Sequence, residues 1–126
     1  MSSLETPLHK VRGLGAAHSG TGHFWRQRVT AVALLPLGLW FAYTVLGLAG
    51  TNVVAPLSYF AHPINAILMG AFTTTLLYHM SLGLQVVVDD YVHTIGTKMF
   101  LMLLIRFVWI AASATCLFAL LKIASV

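Results

Sequence analysis

Three long apolar runs constrain this chain more than any other feature. They extend from Val29 to Leu48, from about Ile64 to Val88, and from about Met99 to Leu121, the last interrupted by Arg106. Each reaches or exceeds the ~20 residues, at ~1.5 Å rise, that an α-helix needs to cross a hydrocarbon core ~30 Å thick. Lipid offers no hydrogen-bond partner, so each run has to close its backbone bonds internally, as a helix does. A soluble domain of 126 residues cannot be 59% hydrophobic and only 8% charged and still keep a solvated surface. The expected fold is an all-α membrane protein with three transmembrane helices. Residues 29–126 form the three-helix membrane anchor, with spans of about 29–48, 64–88 and 99–121, and residues 1–28 form an N-terminal segment. That segment is polar and Gly-rich, with no short apolar core of the signal-peptide kind. Cys116 is the only cysteine, so no disulfide can form within the chain.

Orientation follows from the basic residues. Lys10, Arg12, Arg26 and Arg28 precede the first span, the segment Ala49 to Pro63 has none, Lys98 lies in the second connector and Lys122 near the end. The positive-inside rule then makes the N-terminus and the second connector cytoplasmic and the C-terminus periplasmic. The formal net charge of +4 comes from these few topology signals and does not point to nucleic acid. A start at Met1 with no presequence favours a bacterial inner membrane over an imported mitochondrial subunit. Pro36 is a candidate bend in the first span. Ala49 to Pro63 reads as a loop, with Tyr59 and Phe60 as its interfacial residues. Tyr91 to Lys98 reads as a short polar connector.

The second run carries the chemistry. An ionisable ring at bilayer depth is costly and is a functional-site hypothesis by default. His79 lies ten residues before Asp89, about 15 Å along a helix and so near the midplane. Phe72, Thr75, Gly83, Val86 and Asp90 share its face, and Met80 points about 100° away. Two readings of His79 stand side by side. One is a packing histidine bonded to a neighbouring helix. The other is an axial haem ligand through one ring nitrogen, with the second nitrogen oriented by a partner. Both require the ring to face protein or cofactor. His9, His18, His23, His62 and His93 all lie near or beyond the ends of the spans, so a bis-His haem would need its second ligand from another chain. Asp89, Asp90 and Tyr91 at the end of the run also have two readings. They are a solvated boundary with an aromatic-belt Tyr, or a site where the Tyr91 hydroxyl donates to a quinone carbonyl and Asp90 helps to order protons.

The stretch Tyr78-His79-Met80-Ser81-Leu82-Gly83-Leu84-Gln85-Val86-Val87-Val88-Asp89-Asp90-Tyr91-Val92 resembles the second span of the small hydrophobic membrane anchors of succinate dehydrogenase, the cytochrome b-556 type. His23-Phe24-Trp25-Arg26-Gln27-Arg28-Val29-Thr30-Ala31 is similar to the Arg-x-Thr-Ala opening of that family's first span. The resemblance implies a subunit that is not catalytic alone. It co-ligates haem b through His79 with a second membrane-anchor subunit and borders a ubiquinone site through Asp90 and Tyr91. It docks an iron–sulfur subunit, which binds the flavoprotein where the dicarboxylate chemistry occurs. Arg28 matches the family's Arg and either neutralises a haem propionate or closes the cytoplasmic end of its helix. Asp89 and Arg106 receive no family role; Arg106 is expected to snorkel to the cytoplasmic interface or to face a partner. The rivals are a cofactor-free structural or assembly subunit, a proton-coupled transporter using His79 and Asp90, and a homodimeric cytochrome.

Overall fold

The computed structural model describes residues 6–12 and 20–125. His18 and Val126 lie outside the described residues, as do the side chains of His9, Lys10 and Arg12. A short helix, α1 (Pro7–Arg12), precedes α2 (Gly20–Leu48), α3 (Val54–Ala61), α4 (Pro63–Tyr91) and α5 (Ile95–Ala124). The three expected spans are present, and α2, α4 and α5 are each long and apolar enough to cross a membrane.

Their ends depart from expectation in one direction: every helix runs past its apolar stretch. α2 starts nine residues before Val29 and carries Arg26, Gln27 and Arg28 on its first turns. α4 continues through Asp89 and Asp90 to Tyr91, and α5 begins at Ile95, so the second connector shrinks to residues 92–94. Helical hydrogen bonding does not stop where hydrophobicity does, because polar residues propagate a helix well.

The segment expected to be a loop holds a helix, α3. Gly50, with φ of 77°, supplies the left-handed residue after α2. The Ala55 N–H then donates to Asn52, 3.2 Å from its carbonyl and 3.3 Å from Oδ1, as the chain turns into α3. Tyr59 also ties α3 to its neighbours. Its hydroxyl lies 3.3 Å from the buried Thr44 Oγ1 on α2, and Asn65 Nδ2 donates to its carbonyl at 3.0 Å. α3 therefore packs against α4 and the end of α5, with Tyr59 reaching Thr44 on α2.

α4 is the central helix. α2 covers one of its faces and α5 another, and α2 and α5 barely touch each other. Both pairs are antiparallel. Along α2 and α4, Phe41 stacks on Phe72 at 4.5 Å between ring centroids, and Thr30 meets His79. Along α4 and α5, Asp89 pairs with Lys98, Tyr78 with Trp109 at 5.2 Å, and Gly70 with Leu117. Among the described residues only Phe72 and Leu82 are buried hydrophobics. Val32, Leu35, Leu39, Tyr43 and Leu46 form an exposed stripe along α2, as expected where the surrounding medium is lipid or another subunit.

Candidate functional site around His79

The His79 face of α4 is the face that packs on α2. Phe72 lies against Phe41, and Gly83 lies beside Gln27, whose Nε2 would be 3.9 Å from an added Cβ. Met80 points away and is exposed. His79 is half-buried.

Both ring nitrogens meet α2. Nδ1 lies 2.8 Å from Thr30 Oγ1, and Nε2 lies 3.4 Å from Gln27 Nε2. The Thr30 hydroxyl also lies 2.8 Å from the Arg26 carbonyl and 3.1 Å from that of Gln27. A hydroxyl has one hydrogen to give. A threonine within a helix gives it back to the preceding turn. Thr30 then has only lone pairs to offer His79, so the imidazole donates from Nδ1–H and keeps its lone pair on Nε2. The Gln27 amide, a donor at Nε2, is consistent with that tautomer. Its bond of 3.4 Å is long for a hydrogen bond and correspondingly weak. Gln27 Oε1 is buried with no partner among the described residues.

This contact sets the height of the site along both helices. Along α4, His79 stands 16 residues after Pro63 and 12 before Tyr91, about 24 and 18 Å. Along α2 it is level with Thr30, and Arg28 is two residues away, about 3 Å in height. A basic residue thus lies at nearly the level of the ring. Arg28 does not point at it: about 100° separates Arg28 from Gln27 around the helix, and its guanidinium stacks 4.8 Å from the centroid of Phe24.

The Asp-Tyr cluster is a separate place, about 18 Å along α4 from His79. Asp89 is bound by Lys98, with Nζ 2.7 Å from Oδ1 and 3.3 Å from the Asp89 carbonyl. The carboxylate of Asp90 has no partner among the described residues, and Tyr91 is 79% exposed. Arg106, also exposed, borders a groove of about 400 Å³ with Asp89, Lys98, Met99 and Met102.

The structure therefore joins His79 to Gln27 and Thr30, and leaves Arg28, Asp90 and Tyr91 outside that contact. Gln27 and Thr30 stand in the first-span motif, where their residue types alone imply no role. The signal for them was available: folding α4 back on α2, with Leu48 opposite Pro63, sets His79 opposite Val32, close to the first span's early polar residues.

Axial ligation of haem asks one imidazole of a chain, with its lone pair on the coordinating nitrogen. The donor chemistry fits it: His79 carries its lone pair on Nε2, where the Gln27 contact at 3.4 Å is the weaker of its two. Among the described residues no group of three or more His, Cys, Asp or Glu side chains stands together as a self-sufficient metal site.

Comparison with known proteins gives a consistent result. The family model described as succinate dehydrogenase/fumarate reductase transmembrane subunit matches residues 2–118. A succinate dehydrogenase hydrophobic membrane anchor subunit of Paracoccus denitrificans is 32% identical over 117 residues, 93% of this chain and 90% of that protein. The protein of the same name from Rickettsia bellii is 37% identical over 66% of each chain. A succinate dehydrogenase membrane anchor subunit of Reclinomonas americana is 30% identical over 81% of this chain and 84% of its own length. No solved structure matches the chain.

Proposed function

This chain belongs to the succinate dehydrogenase/fumarate reductase transmembrane-subunit family, and from that premise we propose that His79 Nε2 is one axial ligand of a haem b shared with a second membrane-anchor subunit. It is a multi-pass membrane anchor of succinate dehydrogenase. Its partners are the second anchor, an iron–sulfur subunit and a flavoprotein. It lies in a bacterial inner membrane, with its N-terminus and the 92–94 connector on the cytoplasmic side. The observation that carries the ligand assignment is the Thr30 contact at 2.8 Å, which leaves the lone pair on Nε2.

Haem b, when bound, would supply a one-electron centre held through His79. This chain's residues do the rest by position and charge. Tyr91 sits at the end of α4, where a quinone can enter from lipid and protons from water. Its phenol donates to a quinone carbonyl. Asp90 holds a free carboxylate one residue away and relays protons. Two electrons from the iron–sulfur subunit and two protons complete the reduction of ubiquinone to ubiquinol. Asp89, already neutralised by Lys98, takes no part. Arg28 adds positive charge near the ring's level, suited to a propionate, although its guanidinium rests on Phe24.

The test is the reduced-minus-oxidised spectrum of the purified complex carrying His79→Ala. The haem b band should vanish while the subunits still co-purify. An unchanged band removes His79 as ligand. One observation favours a second reading, that of a cofactor-free structural subunit. Both ring nitrogens already have partners on α2, so His79 alone can pin the two helices. On that reading the wild-type complex is colourless at the haem wavelengths.

A further inference from the structure

We infer that Thr30 is a positioning residue for His79, fixing the tautomer and orientation of the ring and through them the redox potential of the haem. The inference rests on the ligand assignment above. A histidine ring can turn about its side-chain bonds and can carry its neutral proton on either nitrogen. Coordination through Nε2 needs one tautomer and one orientation, and a partner at Nδ1 selects both. Thr30 is built for that task. It is β-branched, with few side-chain rotamers, and its hydroxyl hydrogen is committed to the Arg26 and Gln27 carbonyls at 2.8 and 3.1 Å. The acceptor 2.8 Å from Nδ1 is therefore fixed to the backbone of α2. Gln27 provides the contrast: a longer, more flexible side chain, with a contact of 3.4 Å on the other nitrogen. One nitrogen is clamped and the other is loosely covered, the asymmetry a ligand needs.

The chemical consequence has a sign. An acceptor at Nδ1–H increases the basicity of Nε2, and a more basic ligand favours ferric iron. A neutral hydroxyl does this less than a carboxylate would. Removing the acceptor makes the imidazole a weaker donor and moves the midpoint potential of the haem in the positive direction. It also frees the ring to rotate, which changes the ligand-plane signature in the ferric spectrum.

The experiment uses the whole complex with Thr30→Val, Thr30→Ala and Thr30→Ser, and His79→Ala as control. The readouts are haem release to excess apomyoglobin, midpoint potential by redox titration, and the low-temperature EPR spectrum of the ferric haem. The valine and alanine variants should release haem with roughly 10–100-fold weaker retention, the usual cost of losing a ligand's orienting partner. Their midpoints should move positive and their ferric signals should shift, with serine restoring all three. Wild-type values in valine and alanine overturn the inference, as does a failure of both to assemble, since Thr30 would then be structural. If His79→Ala keeps its haem, the ligand assignment falls first. If it loses haem and Thr30→Val changes nothing, only the inference about Thr30 falls.

Discussion

Adjacent residues of the same type divide their work here according to what each one reaches. Asp89 and Asp90 are neighbours on the last turn of α4, yet only Asp89 meets a cation. Its pair with Lys98 is partly exposed, 54% for Asp89 and 36% for Lys98, so the expected contribution is small, about 0–1 kcal/mol. Asp89→Asn should leave ubiquinone reduction near wild type and lower the stability of the complex by less than about 1 kcal/mol. Asp90→Asn should instead slow ubiquinone reduction while succinate oxidation with a soluble dye continues. Parallel assays of the two variants with both acceptors check the split; equal behaviour would dissolve it. Tyr91→Phe removes a single hydroxyl from an exposed ring and should cost roughly 10²-fold in quinone reduction, the low end for a positioned proton donor. Retention of full turnover and inhibitor sensitivity would move the quinone elsewhere.

At the scale of the elements, α4 meets α5 through Gly70, the Tyr78–Trp109 pair and the Asp89–Lys98 pair, and meets α2 through Phe72 and His79. Gly70 lies so close to α5 that an added Cβ would sit 3.1 Å from Leu117 Cδ2. A larger side chain has to push that leucine or separate the helices. Gly70→Val should therefore destabilise the complex by about 1–3 kcal/mol, the usual cost of overpacking. Leu117→Ala in the same chain should recover part of it, because the obstacle is a side chain and not backbone. Thermal unfolding of the detergent-solubilised complex measures both, and a Gly70→Val variant as stable as wild type would show that α5 can shift freely. On the α2–α4 side, the Phe41–Phe72 stack and the Thr30–His79 bond fix the antiparallel register, so a slip by one turn would part the histidine from its acceptor.

As a whole, the molecule is a layer with α4 in the middle and little interior of its own. With only Phe72 and Leu82 as buried hydrophobics among the described residues, most of the apolar surface is left for lipid and partner subunits. The isolated chain in detergent should keep its helix content but melt well below the assembled complex, since binding partners stabilise the native state by mass action. Circular dichroism of chain and complex compares the two; equal melting temperatures would mean that the three helices suffice alone. The proposed orientation is checked by cysteine labelling after His93→Cys and Ser125→Cys. The first should react from the cytoplasmic side and the second from the periplasmic side; labelling of both from one side contradicts three crossings.

The number of spans, their approximate limits and the shared face of Phe72, His79 and Gly83 were legible in the amino-acid order. They depend on hydrophobicity and on the period of a helix, which are properties of neighbouring residues. The family was legible for a similar reason, through the spacing of His79, Gly83, Asp90 and Tyr91 along one helix. Hydropathy said nothing of α3, because a short helix entered through Asn52 and containing Pro56 depends on backbone bonding and not on composition. Nor could it tell Asp89 from Asp90, or give Thr30 and Gln27 a role, because those distinctions depend on which side chains from distant parts of the chain meet. Thr30 and His79 are 49 residues apart; only the antiparallel packing of α2 on α4 brings a hydroxyl within reach of the imidazole.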